Sequence, residues 1–178
     1  MAQIKKKKKF FDVEMPLISK QTQMQAYELP ELEARSLKYD LTRMLKGKSM
    51  MLTLKVKIED NNAIANPQKI VLMPYFLRRM IRKGTNYVED SFKATCRDAE
   101  LIIKPFLITR RKVSRAVRNA LRVKAKEELI NYVKDKSAEE LFDEVLKNQI
   151  QRPLSQKLKK IYPLSLCEIR VLEIKEIK

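Results

Sequence analysis

The chain has 178 residues and a formal net charge of +17, from 39 Lys and Arg against 22 Asp and Glu. This length suits one well-cored domain, and the excess of cations is larger than solubility requires, so a polyanionic partner is expected. Histidine is absent and the two glycines are isolated, which removes the commonest general base, metal ligand and phosphate-binding turns. We therefore expect no catalytic residues, no metal site and no cofactor.

Membranes are the other common polyanion, but no apolar run approaches the roughly 20 residues of a spanning helix. No signal peptide is recognised at the start of the chain, so we expect a soluble, intracellular protein with no membrane partner. Cys96 and Cys167 each lie in an apolar, strand-like segment. They are predicted to be buried free thiols, with a disulfide or a redox role as the alternative.

The first residues form a lysine-rich segment without apolar residues to pack. Residues 1–9 include Lys5, Lys6, Lys7, Lys8 and Lys9, and they predict a disordered basic arm that precedes a single RNA-binding domain at residues 10–178. A short strand is expected from Phe10 to Pro16, and a loop over residues 17–34, where no period is visible. Alternating apolar residues then predict strands at 35–41 and 50–59, and a short, interrupted strand near 64–73.

The second half begins with Pro74, which suits the first position of a short basic helix that Gly84 can close. A hairpin is predicted near residues 88–109, followed by a helix from about Val113 to Val133. Ser137 and Glu140 have the spacing of a capping box, and Pro153 opens a further helix. A final strand with a bulge is expected over residues 164–177. The predicted class is α+β: a strongly bent, mostly antiparallel sheet or partial β-barrel with a short inserted helix, two to three later helices and a closing strand.

The helix predicted after residue 113 carries the strongest functional signal. On a helical wheel Arg111, Arg115, Arg118, Arg122 and Lys126 share one face, opposite Val113, Val117, Ala120 and Leu121. Like charges at i,i+4 destabilise an isolated helix, and no carboxylate lies between Glu100 and Glu127 to relieve them. Arginine suits bidentate contacts to phosphate, so this face is predicted to bind RNA, with a merely solvated surface as the alternative.

Other candidate contacts lie outside this helix. Arg78, Arg79, Arg82 and Lys83 cluster on the short helix, and Lys157, Lys159 and Lys160 form a weaker patch near the last helix; each alone could be ordinary surface. Three tyrosines lie beside basic or turn segments and could stack on unpaired bases, although core packing is favoured for each: Tyr75, Tyr87 and Tyr162. The acidic residues near 139–144 fit a helix start better than a catalytic carboxylate pair.

Several motifs, taken in order, resemble one protein family. These are "FFDVEMP", "RSLKYDLTRM", "RRMIRKGTNYVEDSFKA", "KPFLITRRK", "RNALRVKAKEEL" and "KKIYPLSLCEIRVLEIK". The chain resembles the archaeal and eukaryotic small-subunit ribosomal protein family S-one-e, also called S-three-A-e. Two segments depart from the family pattern: "CRDAE" lacks the usual glycine, and "MPLISKQTQMQAYEL" matches poorly. The chain also ends soon after "IYPL", which favours an archaeal or archaeal-like source.

The resemblance implies a structural constituent of the small ribosomal subunit in the cytoplasm. It implies binding to small-subunit ribosomal RNA on the platform near the mRNA exit, with neighbouring ribosomal proteins and mRNA at the exit channel as further partners. The basic residues that match the family motifs are Arg78, Arg79, Arg82, Lys83, Arg110, Arg111, Lys112 and Arg122. Arg115 and Arg118 depend on the helical wheel alone. The alternatives are a free RNA-binding module or translation regulator and, from another class, an RNA-modifying enzyme.

Overall fold

The computed structural model describes residues 7–59 and 62–177, and within them the chain forms nine strands and four α-helices. The predicted α+β class, the mostly antiparallel pairing, the short inserted helix and the long final strand are confirmed. The chain divides into two compact units, one formed by residues 1–39 and 52–68 and the other by residues 40–51 and 69–178. The strands are β1 (Lys9–Met15), β2 (Lys20–Ala26), β3 (Ser36–Asp40), β4 (Met50–Glu59), β5 (Asn62–Leu72), β6 (Tyr87–Glu89), β7 (Phe92–Thr95), β8 (Ala99–Thr109) and β9 (Leu164–Ile177).

The first unit corrects the sequence prediction at residues 17–34. This segment is not a loop: it contains β2, which pairs antiparallel with β1 from Lys9↔Ala26 to Met15↔Lys20. A short 3-10 helix at Pro16–Ile18 makes the connection, and Ser19 completes it with a left-handed φ of 50°. The strand was missed because "KQTQMQA" is exposed or half-buried except at Ala26, so no apolar alternation marks it.

The core of the first unit comes from the strands that the alternating pattern did predict. β1 pairs parallel with β5 at Val13↔Ala63 and Glu14↔Ile64, while β4 pairs with both β3 and β5. Apolar side chains at every second position of β4, such as Leu54 and Val56, are fully buried. β5 is a continuous strand of 11 residues, so the predicted interruption is wrong even though Pro67 lies within it.

The second unit is organised around the antiparallel pair β8 and β9. Their register shifts between Glu100 and Leu101, between Lys104 and Pro105, and between Ile108 and Thr109, which confirms an irregular final strand. On the other side of β8 lie β6 and β7, while residues 69–71 of β5 pair with β9. Strands thus pair with β8 along both of its edges, and its C-terminal half is a continuous buried run from Pro105 to Thr109, as in strands that are covered on both faces.

Four helices complete the second unit: α1 (Pro74–Met80), α2 (Arg115–Val133), α3 (Ala138–Leu146) and α4 (Gln151–Lys159). Pro74 opens α1 as predicted, but Gly84 lies four residues past the end of α1, in a turn with φ +89°, and does not cap it. The capping box of α3 is present, with Ser137 and Glu140 satisfying each other's backbone N–H groups. Pro153 is the third residue of α4 and not the first.

A buried ion pair ties the loop before β4 to β9 within the second unit. Lys48 Nζ donates to Glu168 Oε2 at 2.6 Å and to Asn148 Oδ1 at 2.7 Å. The two charged side chains are only 12% and 13% exposed. Nearby, Cys96 is buried and Cys167 half-buried, and both are free thiols as predicted. Desolvation, aided by the Glu168 carboxylate, raises the pKa of Cys167 to about 12, so its thiol stays protonated at neutral pH.

Candidate nucleic-acid interface

A hydrogen-bonded junction fixes the segment that enters α2. The Thr109 hydroxyl lies 2.7 Å from the carbonyl oxygen of Arg111 and 3.0 Å from that of Asn86, and it accepts from the Asn86 N–H at 3.1 Å. The Asn86 side chain accepts from the Val113 N–H at 2.9 Å. The junction thus ties the end of the Gly84 turn, which follows Arg82 and Lys83, to the segment 109–113 that leads into α2.

This junction gives a stability prediction. Thr109 is fully buried, and Thr109→Val keeps its shape but leaves the Asn86 N–H and the Arg111 carbonyl without a hydroxyl partner. We expect the free energy of unfolding to decrease by about 2 kcal/mol, because a buried polar group without a hydrogen-bond partner costs roughly 1–3 kcal/mol. Thermal denaturation should show a Tm lower by about 6 °C. Thr109→Ser retains the hydroxyl, so its free energy of unfolding should fall by less than half as much as that of Thr109→Val. Equal decreases for the two variants would mean that the packing of Thr109, and not its hydrogen bonds, stabilises the junction.

Helix α2 begins at Arg115, two residues later than predicted, with the Ser114 hydroxyl accepting from the Val117 N–H. Arg111 therefore lies outside the helix and does not belong to its basic face. The buried face consists of Leu121, Ala125, Leu129 and Val133, whereas Val117 is half-buried and Ala120 exposed. The helix thus packs through one i,i+4 stripe of apolar residues and leaves its first turns largely outside the core.

Arg115, Arg118 and Arg122 line a groove of about 670 Å³ between the start of α2 and strand β6. We call it the arginine groove; its walls include Tyr87, Glu89, Arg115, Arg118, Asn119 and Arg122. Tyr87 and Glu89 are exposed and lie on one face of β6, while Val88 between them is buried. Sequence analysis grouped the three arginines but did not connect them with β6. That connection comes from the pairing of Tyr87 with Ile108 on β8.

Among the described residues, no carboxylate neutralises the three arginines of the arginine groove. Glu89 is the acidic residue among the groove walls, and it pairs with Arg170 at 2.6 Å. Within the described part of the chain, no carboxylate forms an ion pair with Arg115, Arg118 or Arg122; Arg122 donates to the Asn119 amide oxygen at 2.9 Å. Arg118 Nε is buried and has no hydrogen-bond acceptor among the described residues. The groove therefore offers guanidinium groups to an external anion.

On the second half of α2, in contrast, the lysines Lys124 and Lys126 have partners within the protein. Lys124 lies 3.4 Å from Glu127 and 3.5 Å from Glu128, and Lys157 of α4 lies 2.5 Å from Glu128. These contacts raise the pKa of Lys124, chiefly through its hydrogen bond to Glu127. Lys126 places its ammonium 5.8 Å from the centre of the Phe92 ring. The uncompensated positive charge is thus concentrated at the N-terminal end of the helix, where cations are least favourable.

The remaining predicted residues occupy several places. Arg78, Arg79, Arg82 and Lys83 are all exposed, and Arg79 lies 5.5 Å from the centre of the Phe76 ring. Arg110, Arg111 and Lys112 are exposed beside the junction. In the first unit Lys7 and Lys8 precede β1 and Lys9 begins it, with Lys8 stacked 5.6 Å over Tyr27. Lys5 and Lys6 lie outside the described residues.

Two of the three candidate tyrosines are not core residues. Tyr75 is 50% exposed and Tyr87 is 51% exposed, whereas Tyr162 is half-buried. The favoured core packing is therefore wrong for Tyr75 and Tyr87. Across residues 7–59 and 62–177, no cluster of three or more potential metal ligands occurs. No helix in these same ranges is long and apolar enough to cross a membrane.

An α+β fold whose groove is lined by arginines without carboxylate partners among the described residues defines a class of basic proteins, and comparison with known proteins gives the family. The profile of the Ribosomal S3Ae family matches residues 3–177, so the chain belongs to this family of ribosomal proteins. The chain is also similar to the small ribosomal subunit protein eS1 of Nanoarchaeum equitans, with 28% identity over 115 residues. That match covers 64% of this chain and 58% of the relative's length.

Proposed function

We propose that the chain is a non-enzymatic structural constituent of the small ribosomal subunit and binds small-subunit ribosomal RNA through its basic clusters. The observation that carries the proposal is the arginine groove, whose three guanidinium groups have no carboxylate partner among the described residues. The chain belongs to a ribosomal protein family, and ribosomal RNA is a polyanion that such side chains can bind. RNA phosphate would neutralise these side chains, and Arg/Lys contacts to phosphate give affinity without reading base sequence.

The proposed interface extends beyond the groove. In the second unit it includes the exposed residues on either side of the junction, namely Arg78, Arg79, Arg82, Lys83, Arg110, Arg111 and Lys112. The lysines at the start of the chain, Lys5 to Lys9, are proposed as separate RNA contacts of the first unit. A position on the platform near the mRNA exit and contacts with neighbouring ribosomal proteins belong to the same proposal. So does a single domain over residues 10–178, and a cytoplasmic location on the ribosome.

Salt dependence tests the mode of binding. If about six phosphates are contacted, the logarithm of the association constant should fall with the logarithm of salt concentration with a slope of about −5. The measurement is a filter-binding or fluorescence titration of the full chain with transcribed small-subunit ribosomal RNA at several salt concentrations. A slope near zero would contradict phosphate recognition by the basic clusters.

A second measurement separates a ribosomal constituent from a free RNA-binding module or translation regulator. Tagged chain expressed in its host should co-sediment with small subunits and stay with them through a high-salt wash, because an assembled protein is held by many contacts at once. Complete release at moderate salt would favour the free module. If the tagged chain does not co-sediment with ribosomal subunits at all, the proposal is contradicted.

A further inference from the structure

Strand β6 supplies the arginine groove with an aromatic ring in an unusual setting. The Tyr87 ring stacks on Phe106 with ring centres 5.9 Å apart and planes 16° from parallel. Phe106 is buried, at 3% exposure, whereas Tyr87 is 51% exposed although it is a large aromatic residue in a sheet. Phe106 thus holds the tyrosine ring in a fixed orientation beside the arginines while much of the ring stays accessible. An ordered, accessible ring in this position is suited to stacking.

The groove combines this ring with guanidinium groups and an amide. Arg115, Arg118 and Arg122 rise from α2 on successive turns, and the buried Nε of Arg118 lacks an acceptor. The Asn119 oxygen is occupied by Arg122, which leaves its NH₂ group to donate. The volume of about 670 Å³ lies within the roughly 300–1,000 Å³ typical of pockets that hold small molecules. The walls therefore offer a stacking face, anion-binding groups and a hydrogen-bond donor in a space of nucleotide size.

We propose that the arginine groove holds an unpaired nucleotide of RNA, with its base stacked on Tyr87 and its flanking phosphates bound by Arg115, Arg118 and Arg122. This inference rests on the proposed ribosomal RNA binding and sharpens it from phosphate neutralisation to recognition of single-stranded or bulged RNA. Bases inside a duplex are stacked on one another and cannot stack on a protein ring, whereas unpaired bases do so readily. Phosphate contacts alone would not require an aromatic wall.

Substitution of Tyr87 in the full chain tests the inference with two RNA probes. One is a fluorescently labelled ten-nucleotide single strand and the other a blunt duplex of the same length. Tyr87→Leu retains apolar cover for Phe106 but cannot stack as an aromatic ring, so it should weaken single-strand binding about tenfold, since stacking contributes roughly 1–3 kcal/mol per base. Duplex binding should stay unchanged. Tyr87→Phe, the matched control, should bind both probes like the wild type.

Fluorescence provides a direct readout of stacking. A single strand carrying 2-aminopurine should be quenched on binding to the wild type and to Tyr87→Phe, but much less on binding to Tyr87→Leu. Equal loss of single-strand and duplex binding, or no loss of either, would overturn the inference.

The two proposals fail in different ways. If the wild-type chain binds transcribed small-subunit ribosomal RNA and Tyr87→Leu behaves identically on every probe, only the nucleotide site is lost. If the wild type binds neither the ribosomal transcript nor the short probes, RNA binding itself is wrong. Thermal denaturation shows whether Tyr87→Leu is folded. If it is not, Tyr87→Phe still tests the inference, because its ring can stack and a loss of 2-aminopurine quenching with this variant would contradict stacking.

Discussion

Arg115→Glu combined with Arg118→Glu is expected to lower the affinity for small-subunit ribosomal RNA about a hundredfold, a loss of about 3 kcal/mol. Both side chains line the arginine groove, and neither has a carboxylate partner among the described residues. The substitutions remove two guanidinium groups and place two carboxylates where phosphate is proposed to bind. A titration of the transcribed RNA at fixed salt measures the change.

The same variant is expected to be more stable than the wild type. Arg115 and Arg118 lie in the first turns of α2, which has no acidic residue in its first turn. Carboxylates near a helix N-terminus are favourable by roughly 0.3–1 kcal/mol each, so Tm should rise by a few degrees. Weaker binding together with higher stability would exclude unfolding as the cause of the loss. A fall in Tm would mean that these arginines support the fold.

A matched control uses cations outside the groove. Lys134 follows the last residue of α2 and Arg152 is the second residue of α4; both are exposed and form no ion pair within the described ranges. Lys134→Glu with Arg152→Glu changes the net charge by the same amount. If RNA affinity depended only on total charge, this variant would bind as weakly as the groove variant. We expect it to lose only a small part of the affinity, because distant exposed charges are screened by salt.

Lys48→Met is expected to reduce the free energy of unfolding by about 3 kcal/mol, because it leaves the Glu168 carboxylate without its cation in a nearly buried position. Asn148 would lose its bond to Lys48 as well. Denaturant or thermal unfolding measures the change, and Tm should fall by about 9 °C. The double variant Lys48→Met with Glu168→Gln should recover much of the loss, since the unpaired charge is then removed.

The chain offers an exposed ion pair as the control for this prediction. Lys147 and Asp143 are joined at 2.6 Å, like Lys48 and Glu168, but their side chains are 59% and 38% exposed. Lys147→Met should change stability by less than about 0.5 kcal/mol, because exposed pairs gain little from their attraction in water. Similar losses for Lys48→Met and Lys147→Met would show that burial does not decide the strength of these pairs.

The elements that the sequence predicted well are those whose signal is local. β4 alternates along most of its length, and Ser137 and Glu140 have capping-box spacing. The bulged character of β9 was predicted too, but its pairing is continuous across Val171 and Leu172, where the apolar pattern slips, and shifts elsewhere. β2 was missed because its only apolar residues are Met24 and Ala26 on one face, and its position depends on pairing with β1. Arg111 was grouped with the basic face of the helix because a wheel cannot show that hydrogen bonds from the Thr109 and Asn86 side chains hold residues 111–113 outside the helix.

For the candidate site too, only the part with a local sequence signal could be predicted. Arg115, Arg118 and Arg122 could be grouped from the sequence because spacings of three and four place them on one face of α2. Their opposite wall could not be predicted, since Tyr87 reaches the groove through the pairing of β6 with β8. Nothing local in "TNYVED" distinguishes an exposed stacking tyrosine from a core one. The exposure of Tyr87 depends on Phe106, which lies nineteen positions further along the chain.

The cation-rich start of α2 should make the free chain sensitive to proteolysis at this point. Its first turn combines unfavourable charge with little packing, since the buried stripe begins only at Leu121. In the free protein this turn should fray most readily, and its arginines are cleavage sites for trypsin-like proteases. Bound RNA would supply both the missing counter-charge and a cover. If RNA binds the groove as proposed, proteases should cleave the unassembled chain at this turn more readily than the assembled chain.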